Sequence, residues 1–347
     1  MVVNGGQPVA TMASEKRILN CSVTDPNRIL PMKYGWARDY YKIGVANTWT
    51  PEEVSMQTDV EMWKNPIALT KDERHMILRN LGFFSTGESL TANNVILAIY
   101  KHITNPECRQ YLLRQAFEEA IHTDTFIYIC DTLSLDPDHI YTMYLRIPSI
   151  KEKDDFVVGL TKSILDPQFT TMSTANIQEF IYDLVGYYSI MEGIFFYAGF
   201  VMMLSLLRQN KMVGIGGQFQ FILRDESVHV GFGSELIRTI VAENPIAWTE
   251  GFKKKVTENI ERAVELEYEY AKDCLPKGLL GLSAEKVREY LQYIADRRLG
   301  QIGLNKVYRS RNPFNWMSEM IDLRKERNIF ETRVVEYKHG STLQWDR

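Results

Sequence analysis

Apolar side chains recur every three to four positions along most of this chain, the spacing that gives a helix one buried face. The pattern predicts helices over 70–81, 88–104, 107–133, 257–271 and 284–299. Thr50-Pro51-Glu52-Glu53 reads as a further helix start, with Thr50 as N-cap, Pro51 in the first turn and Glu53 closing a capping box. No proline interrupts the stretch from Pro167 to Pro245, which leaves room for two long helices. The glycines at 214, 216 and 217 predict the break between them. Asp136-Pro137-Asp138 predicts a turn, and period-two alternation is scarce. The expected fold is all-α, a helical bundle.

The periodicity also sets the boundaries. Residues 1–30 mix glycine, proline and polar residues without a repeating face and read as a loosely attached N-terminal extension. Residues 31–320 form the helical domain. Residues 321–347 are charged and lack a sustained apolar face, so a mobile C-terminal tail is expected, its Tyr337 and Trp345 suited to a partner surface. The apolar run 193–207 is 15 residues long, short of the roughly 18–20 a spanning helix needs, so a buried core helix is expected and no membrane association. No basic, apolar signal segment opens the chain. With 40 basic and 44 acidic residues the net charge is −4, which gives no reason to expect a nucleic-acid partner. Four scattered cysteines without a C-x-x-C pair read as reduced thiols in a cytoplasmic protein.

The chemistry sits on the apolar helices. Glu119 and His122 are three residues apart, on one helical face, and Glu226 and His229 repeat that spacing. Other histidines also have an acid three positions before them, but in polar or proline-broken sequence. These two pairs lie among Phe117, Ile121, Phe126, Phe219, Ile222 and Val230. An ionised carboxylate carried into such surroundings costs several kcal/mol unless it is paired or binds a metal. Glu88 and Glu192 raise the same difficulty. One glutamate from each of two helices, plus Glu-x-x-His from each of two others, is the ligand set of carboxylate-bridged dimetal bundles of the ferritin-like type. Oxygen-rich ligation without sulfur suits iron or manganese. The alternative is that each carboxylate is satisfied internally, with no metal bound.

At these residues the chain resembles the small (beta) subunit of class I ribonucleotide reductase. The resemblance runs from Lys33 to Tyr337. It rests on Asn47-Thr48-Trp49-Thr50-Pro51-Glu52-Glu53, Phe117-Glu118-Glu119-Ala120-Ile121-His122, Glu192-Gly193-Ile194-Phe195-Phe196-Tyr197 and Arg224-Asp225-Glu226-Ser227-Val228-His229. It implies Glu88 and His122 on one metal, Glu192 and His229 on the other, and Glu119 and Glu226 as bridges. It further implies that Trp49 and Asp225 relay an electron and a proton, and that Tyr337 passes the radical to the large (alpha) catalytic subunit. The expected assembly is a homodimer, with O2 or peroxide as oxidant.

Two positions depart from relatives that store a tyrosyl radical. Four residues after His122, where they have tyrosine, stands Phe126, which has no O–H to lose; and Glu88 stands where they commonly have aspartate. Both features resemble the tyrosine-less subgroup, class Ic, in which a manganese/iron pair holds the oxidising equivalent; an Fe/Fe pair is the alternative. Tyr128, two residues on, reads either as an electron donor during activation or as a packed core tyrosine. The rival function is a Mn/Fe ligand-binding oxidase of the same fold, which would not need the tail.

Overall fold

The computed structural model describes residues 16–21, 28–90, 94–279 and 281–317. Tyr337 and the expected tail 321–347 lie outside the described residues, as do residues 1–15. The main helices are α1 (Gly35–Ala46), α2 (Lys71–Leu90), α3 (Pro106–Leu133), α4 (Pro148–Leu160), α5 (Thr174–Leu207), α6 (Val213–Glu243), α7 (Glu250–Cys274) and α8 (Ala284–Gln301), joined by shorter turns. Among the described residues the only strand-like pairing is an isolated bridge between Leu279 and Leu282.

Local chemistry fixes the helix ends. Asn105 accepts hydrogen bonds from the N–H groups of Glu107 (2.9 Å) and Cys108 (3.0 Å) ahead of Pro106, which starts α3. Thr70 and Glu73 form a reciprocal box at the start of α2, each side chain accepting the other's backbone N–H. The box predicted at Thr50 and Glu53 is present, but it caps a single 3-10 turn, Pro51–Glu53.

Several boundaries differ from those the pattern predicts: the helix expected over 257–271 begins at Glu250, that expected from 88 is Ile96–His102, and two others bear on the site. Helix α2 does not stop at Leu81; it runs on to Leu90 and carries Glu88 itself, because its buried face continues through Phe83, Phe84, Gly87 and Glu88. The glycines at 214, 216 and 217 are not a helix break. They lie inside α6, and the chain turns earlier, at Met212, whose φ of 47° is left-handed. Those glycines serve close packing: a Cβ on Gly214 would sit 2.7 Å from the Ser55 carbonyl oxygen, and one on Gly216 2.7 Å from Leu207 Cβ. Asp59 accepts the Gly214 and Ile215 N–H groups at 2.9 and 2.7 Å and so caps α6 from another element.

Helix α5 is apolar all round, and 94% of its most hydropathic window is buried inside the bundle, as for a core helix. It packs on α6, α7 and α8, while α3 packs on α1, α2 and α6. Residues 16–21 are held more tightly than expected of an extension. Ile18 and Leu19 are buried, and Lys16 Nζ reaches Glu107 Oε1 at 2.6 Å.

Candidate metal centre

Four helices deliver six ionisable side chains to one point in the core. Glu88 comes from α2, Glu119 and His122 from α3, Glu192 from α5, and Glu226 and His229 from α6; all six are fully buried. Helix α5 does so through a π-helical segment, Val185–Phe195, which contains Glu192. Arg298 on α8 donates from Nε to the Gly193 carbonyl at 2.9 Å and so satisfies a backbone acceptor within it.

The donor atoms fall into two sets of four. In one, atoms of Glu88, Glu119, His122 and Glu226 all lie within 4.8 Å of one another; in the other, atoms of Glu119, Glu192, Glu226 and His229 do. Glu119 and Glu226 belong to both sets. His122 Nδ1 is 3.0 Å from Glu226 Oε1, 3.5 Å from Glu88 Oε2 and 3.6 Å from Glu119 Oε2. His229 Nδ1 is 3.2 Å from Glu119 Oε1, 3.3 Å from Glu226 Oε2 and 3.7 Å from Glu192 Oε1.

Most of these inward atoms have no hydrogen-bond partner. Both oxygens of Glu88 and of Glu226, one each of Glu119 and Glu192, and Nδ1 of both histidines are buried and unpaired. Native cores leave few such groups. Burial pushes the Glu88 carboxyl up to about 8, with Glu226 and Glu119 adding to it against the pull of His122. It likewise drives Glu192 well up, again with Glu226 adding. Burial also tends to raise Glu119, but the two imidazoles outweigh it and hold that carboxyl far below its usual range. For the imidazoles, burial disfavours the charged form, yet the surrounding acidic groups push both well above their ordinary value. Protons are one way to balance so many carboxylates. Two divalent cations are another, and they would use the unpaired oxygens and imidazole nitrogens as ligands, so the residues present fit a dimetal centre.

Around this cluster lie groups that the sequence did not single out. Gln115 Nε2 donates to Glu192 Oε1 at 3.1 Å, and the Tyr188 hydroxyl donates to Gln115 Oε1 at 3.0 Å. Tyr187 Oη donates to Glu119 Oε1 at 3.1 Å, so a phenol does touch the centre, though not at position 126. Glu118 accepts from His229 Nε2 at 2.9 Å and from Arg114 Nε at 3.1 Å. A signal for Glu118 was present: the Glu-x-x-His pairs of α3 and α6 are each preceded by an acid, giving Glu118-Glu119 and Asp225-Glu226.

Phe126 is buried in a hydrocarbon wall, its ring stacked at 5.8 Å on Phe84 and edge-on at 5.8 Å to Phe219. Trp49 is buried, stacks at 4.8 Å on Phe221 and donates its indole N–H to Asp225 Oδ2 at 2.7 Å. Asp225 also accepts from Arg224 Nε at 3.0 Å. Burial works to raise its carboxyl, but Arg224, His122 and Trp49 together hold it below the usual range. His122 Nε2 faces Asp225 Oδ2 at 3.6 Å, too far for a hydrogen bond. Tyr128 is half-buried and packs against the core.

Comparison with known proteins points the same way. The family model "Ribonucleotide reductase, small chain" matches residues 26–313. The chain is 57% identical over 332 residues to a ribonucleoside-diphosphate reductase subunit beta of Chlamydia pneumoniae, covering 96% of both chains. Its structure resembles the ribonucleotide reductase R2 subunit from Clostridium botulinum with a TM-score of 0.80 at 28% identity, covering 88% of this chain and 94% of that one. It shares its fold, at a TM-score of 0.72 and 17% identity, with a dimanganese(II) NrdF of Streptococcus sanguinis, covering 85% of this chain and 98% of that one. Fold, buried cluster and these likenesses agree, and the chain belongs to the ribonucleotide reductase small-chain family, the beta subunits of ribonucleoside-diphosphate reductase.

Proposed function

We propose that this beta subunit holds a manganese/iron pair, with Glu88 and His122 on one metal, Glu192 and His229 on the other, and Glu119 and Glu226 bridging. The observation that carries this reading is the membership of Glu119 and Glu226 in both donor sets. When bound and oxidised by O2 or peroxide, the pair supplies a one-electron oxidising equivalent; Fe/Fe is the other pair these donors suit. The preference for Mn/Fe is supported by Phe126, whose ring offers no O–H and is walled by Phe84 and Phe219.

The residues around the pair do the rest. Loss of an electron from the Trp49 indole acidifies its N–H, and Asp225 Oδ2 at 2.7 Å is placed to take that proton. Arg224 keeps Asp225 anionic for the task. Tyr337, outside the described residues, connects this relay to a cysteine of the large subunit, whose radical starts ribonucleotide reduction there. The subunit works in the cytoplasm as a homodimer. That assembly is supported by an exposed apolar stripe on α3 formed by Leu113, Phe117 and Ile127. Turnover of the Trp49→Phe and Tyr337→Phe variants with the large subunit present tests the reading, together with metal analysis and paramagnetic spectroscopy of protein loaded with manganese and iron. Each substitution should abolish ribonucleotide reduction while leaving metal content intact. Near-normal turnover in both would refute the relay, and would favour an oxidase of the same fold.

A further inference from the structure

The two histidines are braced reciprocally. The acid that precedes the shared glutamate on α3, Glu118, faces the histidine of α6; the acid in the same place on α6, Asp225, faces the histidine of α3. Each acid is in turn held by an arginine, Glu118 by Arg114 and Asp225 by Arg224.

The two braces are not equal. Asp225 gives Oδ2 to the Trp49 indole at 2.7 Å and Oδ1 to Arg224 at 3.0 Å, and stays 3.6 Å from His122 Nε2. Glu118 divides its oxygens cleanly, Oε1 to Arg114 at 3.1 Å and Oε2 to His229 Nε2 at 2.9 Å. A carboxylate only accepts, so Nε2 of His229 carries a proton in this contact, and Nδ1, which faces Glu119, Glu192 and Glu226, is the nitrogen that would give its lone pair to a cation. Helix α1 closes the remaining side. A Cβ on Gly44 would lie 2.8 Å from Glu118 Oε1 and 2.9 Å from Arg114 Cγ, so only glycine lets the backbone pass. Glu118 is therefore a buried carboxylate fixed in one orientation, with both oxygens engaged.

We propose that Glu118, clamped by Arg114 under Gly44, is the positioning residue for His229. It fixes the ring's tautomer and aim and thereby sets the affinity of the Glu192/His229 half of the centre for its divalent cation. This rests on the dimetal reading above. Removing a carboxylate that orients a ligating imidazole typically weakens metal binding by about 10–100-fold. Because His122 has no equivalent hydrogen bond, the loss should fall on one half alone.

The test is titration of the full-length, chelator-treated chain with Co(II), followed by visible absorption, in three proteins. Wild type should take up two equivalents. Glu118→Gln keeps the side chain's size and removes its charge, and should weaken one equivalent by about 10–100-fold while the other is unchanged. Gly44→Ala leaves every acid in place but pushes on the same carboxylate from α1, and should weaken the same equivalent, with a shift in the ligand-field band of that step only. Thermal unfolding of each apo protein checks that the fold is kept. Two unchanged equivalents in both variants would overturn this inference and leave the dimetal reading standing, and so would equal weakening of both equivalents. Failure of wild type to bind Co(II) would overturn the dimetal reading and this inference with it.

Discussion

Replacing Glu88 by glutamine should move stability in opposite directions with and without divalent metal. Both Glu88 oxygens are buried and unpaired, and burial lifts the carboxyl from 4.5 to about 8. A folded pKa raised above the unfolded value gives stability that is complete below the unfolded pKa and is lost as pH climbs through the folded one, here from 4.5 to about 8. Above that window the chain without metal carries a buried carboxylate with no hydrogen bond, a cost of several kcal/mol that His122 at 3.5 Å only partly offsets, whereas an unpaired buried amide costs about 1–3 kcal/mol. At about pH 8.5 Glu88→Gln should therefore raise the stability of the apo protein by about 1–2 kcal/mol. At roughly 2 °C per kcal/mol for a chain of this size, the midpoint should rise by about 2–4 °C. Near pH 5 the advantage should vanish. Metal reverses the order. At a hundredfold excess over its Kd, a bound cation adds about 2.7 kcal/mol to wild type, but about 0.4 kcal/mol to a variant that binds a hundredfold more weakly. Calorimetric melting at both pH values, with chelator and with Mn(II), reads all four conditions. A variant that melts lower than wild type at both pH values without metal, and responds fully to Mn(II), would show that Glu88 is satisfied inside the protein and faces no cation.

Two further outcomes test the packing behind the site. Asp183 is buried on α5, and its Oδ2 accepts the Ile164 N–H at 2.8 Å. Burial, with help from Glu179, raises its carboxyl to about 8 against the opposing pull of the Ile164 and Ser163 N–H groups and Lys255. Its contribution to stability is thus complete below 3.8 and declines as pH rises toward about 8. Asn keeps the acceptor and cannot ionise, so Asp183→Asn should melt above wild type near pH 8, with the gap closing toward pH 4; a gap independent of pH would count against this. Gly233 on α6 lies against the buried Tyr188 ring, and a Cβ there would come within 2.5 Å of Tyr188 Cβ. Overpacking typically costs about 1–3 kcal/mol, more than the roughly 1 kcal/mol that alanine gains over glycine in a helix. Gly233→Ala should therefore lower the melting midpoint by a few degrees, and an unchanged or higher midpoint would mean that the ring has room to move.

The all-helical fold and the two Glu-x-x-His pairs were legible because both are written in local spacing, and Glu88 and Glu192 because each is a lone acid beside an apolar run. Helix α3 spans Pro106–Leu133 where the periodicity predicted 107–133, and α8 spans Ala284–Gln301 where it predicted 284–299. What misled was glycine. The cluster at 214–217 does not separate two helices, because Gly214, Gly216 and Gly217 lie inside α6 where neighbouring atoms come too close for a Cβ. Periodicity reports one helix at a time and holds no record of which elements approach. The π segment was equally hidden, since every residue of Val185–Phe195 is buried and a run buried on all sides has no solvent face by which to measure its pitch.

The acidic doublets join these points. A lone Glu-x-x-His fixes one carboxylate and one imidazole on a single helical face, and says nothing of how the second imidazole nitrogen is satisfied. In this bundle that nitrogen faces an acid across the interface, hydrogen-bonded at 2.9 Å to Glu118 for His229, but 3.6 Å from Asp225 and without a hydrogen bond for His122. The unit that carries the site is thus five residues, an acid followed by Glu-x-x-His, on each of α3 and α6. Its first residue belongs to the partner helix's histidine. Because α3 completes the imidazole of α6 while α6 only sets an acid opposite that of α3, the packing of α3 on α6 becomes part of the site itself. On one side the acid is free to grip its histidine; on the other it is shared with Trp49 and Arg224. The inequality follows from Trp49, whose N–H draws Asp225 toward the indole at 2.7 Å and away from the imidazole.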